Sequence, residues 1–200
     1  MAKFQLFAQP WWVNLLIAVP GVVYLQLRRK SLRLPWRQML MIGAFALAFG
    51  FVEAAVVVYL RAASSLLPGY NSNSLGDIRR WSMSYQQTQS NQLPQGLLTI
   101  EVMREAATMV MLVCVAVLAA SRPRERWASF LLAFAIWDIS YYAGLWTTVG
   151  WPSSIKDLDV LFLIPVPWFA QVWYPLLVSA LTLLVLTWVK LKPGNAGSGK

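Results

Sequence analysis

Histidine is absent from this 200-residue chain, and cysteine occurs once. Without imidazole, histidine-ligated haem, histidine-ligated zinc or copper, and a histidine general base are all excluded. The lone thiol, Cys114, makes neither an internal disulfide nor a Cys-ligated cluster. Set among Val113, Val115 and Ala116, it reads as a small buried hydrophobe. Charge is scarce as well, at 12% of residues, and only 8 of those residues are acidic against 17 basic. No internal repeat is visible, which lowers the case for a transporter built from inverted halves.

What fills the chain instead is apolar. It is 58% hydrophobic with a mean hydropathy of +0.54, well outside the balance of a soluble domain. A net charge of +9 on a soluble surface would point to nucleic acid. Here the cations fall in short clusters between apolar runs, which is a membrane-orientation pattern. The expected partner is therefore the lipid bilayer and not nucleic acid.

A hydrocarbon core of about 30 Å takes roughly 20 apolar helical residues to cross. Five runs approach that length: 11–27, 38–60, 99–120, 127–150 and about 169–189. The expected fold is thus an all-α transmembrane bundle forming one domain over 1–192, with a flexible tail at 193–200. The first run is short and carries Pro20. It lacks the basic start and small-residue cleavage site of a secretory signal, so it is expected to stay as a helix. Alternate loops collect Lys and Arg unequally. Arg28, Arg29, Lys30, Arg33, Arg37, Arg122, Arg124, Arg126, Lys190, Lys192 and Lys200 share one side, whereas Lys3, Arg61, Arg79, Arg80 and Lys156 share the other. That asymmetry predicts an N-out, C-in protein of an inner (cytoplasmic) membrane. Trp11, Trp12, Trp36, Trp127, Trp151, Trp168, Trp173 and Trp188 fall near the span ends, as interfacial indoles do.

Two outer segments are more than turns. Residues 61–98 are rich in Ser, Asn and Gln, and Ser74 with Asp77 reads as a capping box ahead of a stripe of Leu75, Ile78, Trp81 and Tyr85. An amphipathic surface helix is expected there, with an irregular loop as the alternative. Further on, Pro165 and Pro167 cannot both sit inside a regular helix, so Val160 to Trp168 should form a bent or re-entrant approach to the last span. Asp157 and Asp159 read as solvated loop or cap residues.

Charges within the spans are the informative feature, because each costs about 2.5 to 3.5 kcal/mol on insertion scales unless it is paired or hydrated. There are five: Glu53, Glu101, Arg104, Glu105 and Asp138. Helical rise places Glu53 roughly 12 Å inside Arg61, Glu105 roughly 9 Å inside Thr99 and Asp138 about 18 Å inside Gly150. All three fall in the outer half and can meet in one layer. Glu101, Glu105 and Thr108 form one stripe with Arg104 at its flank, and Asp138, Tyr141 and Tyr142 form another. Ala46, Gly50 and Ala54 make a small-xxx-small series that lets a neighbour bring Arg104 close to Glu53 or Asp138. The tyrosines are expected to donate hydrogen bonds to Asp138.

One reading makes these groups an ion-pair network that only fixes helix register, with Glu101 exposed at the interface. The other rests on the surplus of four in-span carboxylates over one arginine, which needs a proton, a metal or a cationic ligand to balance it. Carboxylate-only ligation would favour Mg, Ca or Mn. On that second reading Glu53, Glu101, Arg104, Glu105, Asp138 and Tyr141 bind a cation, a proton or a lipid-like ligand. Were the protein an enzyme, Glu53, Glu105, Asp138 and Tyr142 would be the candidates for acid–base work. The alternative from a different class is a non-catalytic accessory or assembly subunit with membrane-protein partners.

The stretches FVEAAVVVYLR (51–61), REAATMVML (104–112), WDISYYAGLWTTVGWPSS (137–154) and DVLFLIPVPW (159–168) resemble a family of small bacterial polytopic membrane proteins. The resemblance covers roughly the last two thirds of the chain. It implies an integral membrane protein of bacterial type and transfers no activity, cofactor or site role.

Overall fold

In hydrocarbon every backbone N–H and C=O must be satisfied within its own segment, so apolar runs of this length fold as helices. The computed structural model describes residues 6–29, 31–63 and 95–192. Four helices in it are long and apolar enough to cross a membrane: α2 (Trp36–Ala63), α3 (Gln95–Ala119), α4 (Pro123–Val149) and α5 (Trp173–Leu191). The expected surface helix around Ser74 and Asp77, and the tail at 193–200, lie outside the described residues.

The first apolar run is built differently. A 3-10 helix over Trp11–Ala18 continues directly into α1 (Val19–Leu27), with Pro20 in the first turn of α1, where its missing N–H leaves no gap in the hydrogen-bond ladder. A 3-10 helix rises about 2.0 Å per residue, so Trp11 to Leu27 extends over roughly 30 Å despite its few residues.

α4 is the central helix. In its most apolar window 61% of residues are buried, against 22–33% in the other three long helices. α2, α3 and α5 all pack on it, α3 also meets α2, and α1 packs on α5. The closest approach is between α2 and α4, where the small-xxx-small series lies against Trp137, Ser140 and Gly144. Ser140 Oγ reaches the Ala46 carbonyl at 3.3 Å. A Cβ at Gly50 would stand 2.6 Å from the Trp137 carbonyl oxygen, and one at Gly144 would stand 2.9 Å from Ala54 Cβ. Overpacking of this kind typically costs about 1–3 kcal/mol. Gly50→Val is therefore expected to lower the thermal transition of the purified protein clearly. Gly96→Ala, where a Cβ meets nothing, should leave it in place; equal transitions for the two variants would show that α2 and α4 are not tightly packed at Gly50.

The last span departs from expectation. The helix expected from Phe169 does not begin there, and the bend expected over 160–168 does not lead straight into it. An antiparallel hairpin forms instead, β1 (Leu158–Phe162) with β2 (Trp168–Gln171), pairing Leu158 with Gln171 and Val160 with Phe169, and α5 starts only at Trp173. Pro165 and Pro167 fall in the connection, where no ladder needs their N–H. On the other edge of β2, Gln9 exchanges backbone hydrogen bonds with Phe169 at 2.8 and 2.7 Å. The helical bundle thus carries a small sheet at one end. Asp157 does act as a turn cap, accepting from Ser153 N and Oγ at 2.8 Å and from Ser154 N at 3.0 Å.

At the opposite end, cations close helix C-termini. Arg124 donates to the Leu27 carbonyl at 2.6 Å, Arg126 to Ala120 at 2.8 Å and Lys192 to Arg28 at 3.2 Å. Terminal carbonyls lack helical partners and carry the negative end of the dipole, so both needs are met together. Cys114 is exposed on the outer face of α3 rather than buried, because α3 packs on neighbours along one side only.

Candidate functional site

Glu53 on α2 and Glu101 on α3 both meet Arg104. The guanidinium bonds to Glu53 through Nη1 and to Glu101 through Nε at 2.9 Å and Nη2 at 2.7 Å. Of the two partners expected for Arg104 on neighbouring helices, Glu53 and Asp138, it meets Glu53. Glu101 is 7% exposed, so the expectation that it sits exposed at the interface is corrected; one turn of α3 carries it inward beside Arg104. One arginine thereby ties α2 to α3.

Glu105 is one turn further along α3 and is also buried. It accepts the backbone N–H of Leu163 at 2.8 Å, just past β1, and so ties the hairpin to α3. Asp138 on α4 is buried and accepts from Ser179 Oγ on α5 at 2.7 Å. Among the described residues neither Glu105 nor Asp138 has a lysine or arginine at ion-pair distance. Tyr142 donates at 2.7 Å to Asp159 on β1, and not to Asp138 as the helical spacing suggested. Asp159 is 4% exposed; far from being a solvated loop residue, it is drawn in because β1 folds back over the bundle. Tyr141 stacks on Trp137, with ring centroids 6.2 Å apart and planes at 23°.

These groups share a depth. Helical rise puts Glu53, Glu105 and Ser179 about 9 to 10 Å inside the hairpin-side ends of their apolar spans, and the hydrogen bond from Ser179 sets Asp138 at the same level. A sixth buried carboxylate, Glu125, lies in the first turn of α4 at the other end, where the helix dipole favours a negative charge.

The layer forms one end of a cavity of about 690 Å³. No family model, curated protein or solved structure matches this chain. The cavity runs along α4 from Trp127 to Tyr142, roughly 22 Å of helical rise. Its wall on α4 is a continuous helical stripe that changes character along its length: Trp127, Phe130, Leu131 and Phe134 first, then Asp138 and Tyr142. Opposite, α3 contributes Arg104, Glu105 and Thr108, and α5 contributes Val178, Ser179 and Thr182. α3 and α5 both line the space and, among the described residues, make no extended contact with each other.

Aromatic rings cover the polar end. Trp137 lies within 6.4 Å of Phe162 and 5.4 Å of Phe134, and Phe162 within 5.4 Å of Trp168, all as ring centroids. The indole Nε1 atoms of Trp137 and Trp168 are buried without a hydrogen-bond partner among the described residues. Among the described residues, no three Asp, Glu or Cys side chains are grouped to hold a metal ion, so carboxylate-only ligation of Mg, Ca or Mn finds no donor set there.

The structure thus brings Glu53, Glu101, Arg104, Glu105, Asp138, Tyr141 and Tyr142 to one cavity. The sequence reading missed Ser179, Thr182 and the two indoles, and took Asp159 for a solvated residue. Ser179 and Thr182, three residues apart in a mainly apolar helix, were the available signal, since hydroxyls on one stripe of a span face protein more often than lipid.

Proposed function

We propose that this chain is a membrane-embedded binding protein for an amphiphilic, lipid-like ligand. The apolar part would lie along Trp127 to Phe134, and the polar head would meet Glu105, Asp138 and their neighbours. The observation that carries the reading is the polarity gradient along a single elongated cavity: apolar at one end, acidic at the other, and of a volume usual for small-molecule sites. A register-fixing network explains Arg104 with Glu53 and Glu101, but it has no use for an open cavity or for Glu105 and Asp138, which among the described residues have no lysine or arginine at ion-pair distance. The Trp11–Leu27 segment, extended by its 3-10 turn, serves as a fifth crossing. The cation-rich end then faces the cytoplasm of a bacterial cell, and the acidic end of the cavity faces outward.

Native mass spectrometry of the full chain, released from mild detergent, tests the ligand. A stoichiometric adduct of amphiphile mass is expected, and Glu105→Gln with Asp138→Asn should retain the fold but hold that adduct at least tenfold less well. A bare chain, or an adduct indifferent to both changes, would contradict the reading. A stoichiometric protein partner in its place would favour an accessory subunit. Orientation is checked separately with single cysteines in a Cys114→Ala background. Ser153→Cys should react with an impermeant maleimide in intact cells and Ser121→Cys should not; the reverse pattern would invert the topology.

A further inference from the structure

The dimensions of the cavity limit how much hydrocarbon it takes, and we infer, resting on the amphiphile reading above, that it is a one-chain site whose ligand is a single-chain amphiphile with a compact head, as in a monoacylglycerol. Length is the first limit. Along α4 the wall from Trp127 to Asp138 rises roughly 17 Å, close to the ~15 Å that the chains of one leaflet fill in a hydrocarbon core of about 30 Å. Volume is the second. A methylene takes about the space of a water, roughly 30 Å³ in the liquid, so a chain of about sixteen carbons needs about 480 Å³ and two such chains about 960 Å³. The cavity of about 690 Å³ holds the first with room for a small head, and does not hold the second.

The walls of the apolar stretch keep it narrow. Trp127 stacks on Phe130 with ring centroids 5.7 Å apart and planes at 15°, and Phe130 rests on Phe134 at 6.0 Å. Packed ring against ring, one does not swing aside without the next. Opposite, Val178 and Thr182 of α5 line the space. The Thr182 hydroxyl donates to the Val178 carbonyl at 2.7 Å, so its hydrogen is taken up within its own helix. Depth adds a third limit. The polar end lies about 9 to 10 Å inside the hairpin-side ends of the spans, whereas a two-chain lipid carries both ester groups near the bilayer surface. Sinking such a lipid to that level drives its second ester into hydrocarbon outside the cavity, where a polar group finds no partner. A two-chain lipid therefore occupies the site weakly, with one chain inside and the other left in the bilayer.

The test uses the full chain, delipidated and held in a steroid-based detergent whose hydrophobe is not a chain. Monopalmitoylglycerol and dipalmitoylglycerol, which share glycerol as the head and differ in chain number, are offered at equal mole fraction and read by native mass spectrometry. The one-chain probe should bind at least tenfold more tightly. Phe130→Ala, which removes a ring from the wall, should shrink that preference several-fold, and Phe130→Leu, a gentler cut, should shift it the same way. Equal binding of the two probes, or preference for dipalmitoylglycerol, overturns the one-chain assignment and leaves the amphiphile reading standing. A preference that neither Phe130 variant changes places the selected chain outside this cavity and overturns the assignment as well. Binding of neither probe removes both readings.

Discussion

Arg104→Ala is expected to lose most of its folded, membrane-inserted protein. The change strips the shared cation from Glu53 and Glu101, two buried carboxylates on different helices. Breaking one buried pair typically costs about 3–5 kcal/mol, against a total stability of about 5–15 kcal/mol for an ordinary domain. Here one substitution orphans two acids. Arg104→Met combined with Glu53→Gln should recover part of the yield, and adding Glu101→Gln should recover more, because each step removes one uncompensated charge. Detergent-resistant yield by fluorescence-detected chromatography measures the series. Should the triple variant fare no better than Arg104→Ala, the network's role would not be electrostatic.

The second large effect concerns the cavity. Val178 on α5 lines it close to Ser179, so Val178→Trp places an indole where the ligand would lie without touching Arg104 or its partners. The variant is expected to fold, to keep its detergent-resistant yield and to lose bound amphiphile at least tenfold. Leu184→Trp, on the exposed face of the same helix, should lose nothing. Equal retention by the two variants would mean that bound lipid sits on the outer surface.

Much of this was legible in the sequence because membranes impose few choices. A charge inside a span must find a partner, and the groups within reach of Arg104 were carboxylates, Glu101 on its own helix and Glu53 or Asp138 on its neighbours. The small series at Ala46, Gly50 and Ala54 announced a close neighbour. Other features depend on distances between segments that no local pattern encodes. Pro165 and Pro167 excluded a helix correctly, but the pairing of Leu158 with Gln171 needs both strands in view, and with it came the burial of Asp159. Tyr142 is one turn from Asp138 and also beneath β1, and only the folded chain shows which acid it serves. The cavity was illegible for a plainer reason: it is the gap left where α3 and α5 each pack on α4 and not on each other.

Photo-crosslinking tests the central claim most directly. A phospholipid carrying a photoactivatable group at its chain terminus, incorporated with the full chain in nanodiscs and mapped by peptide mass spectrometry, should label Phe130, Leu131 and Phe134 at the apolar end of the cavity. Val178→Trp should abolish those adducts. Labels confined to outer-face residues such as Leu40, Met103 and Leu118, which are exposed on the bundle, and indifferent to Val178→Trp, would contradict the account.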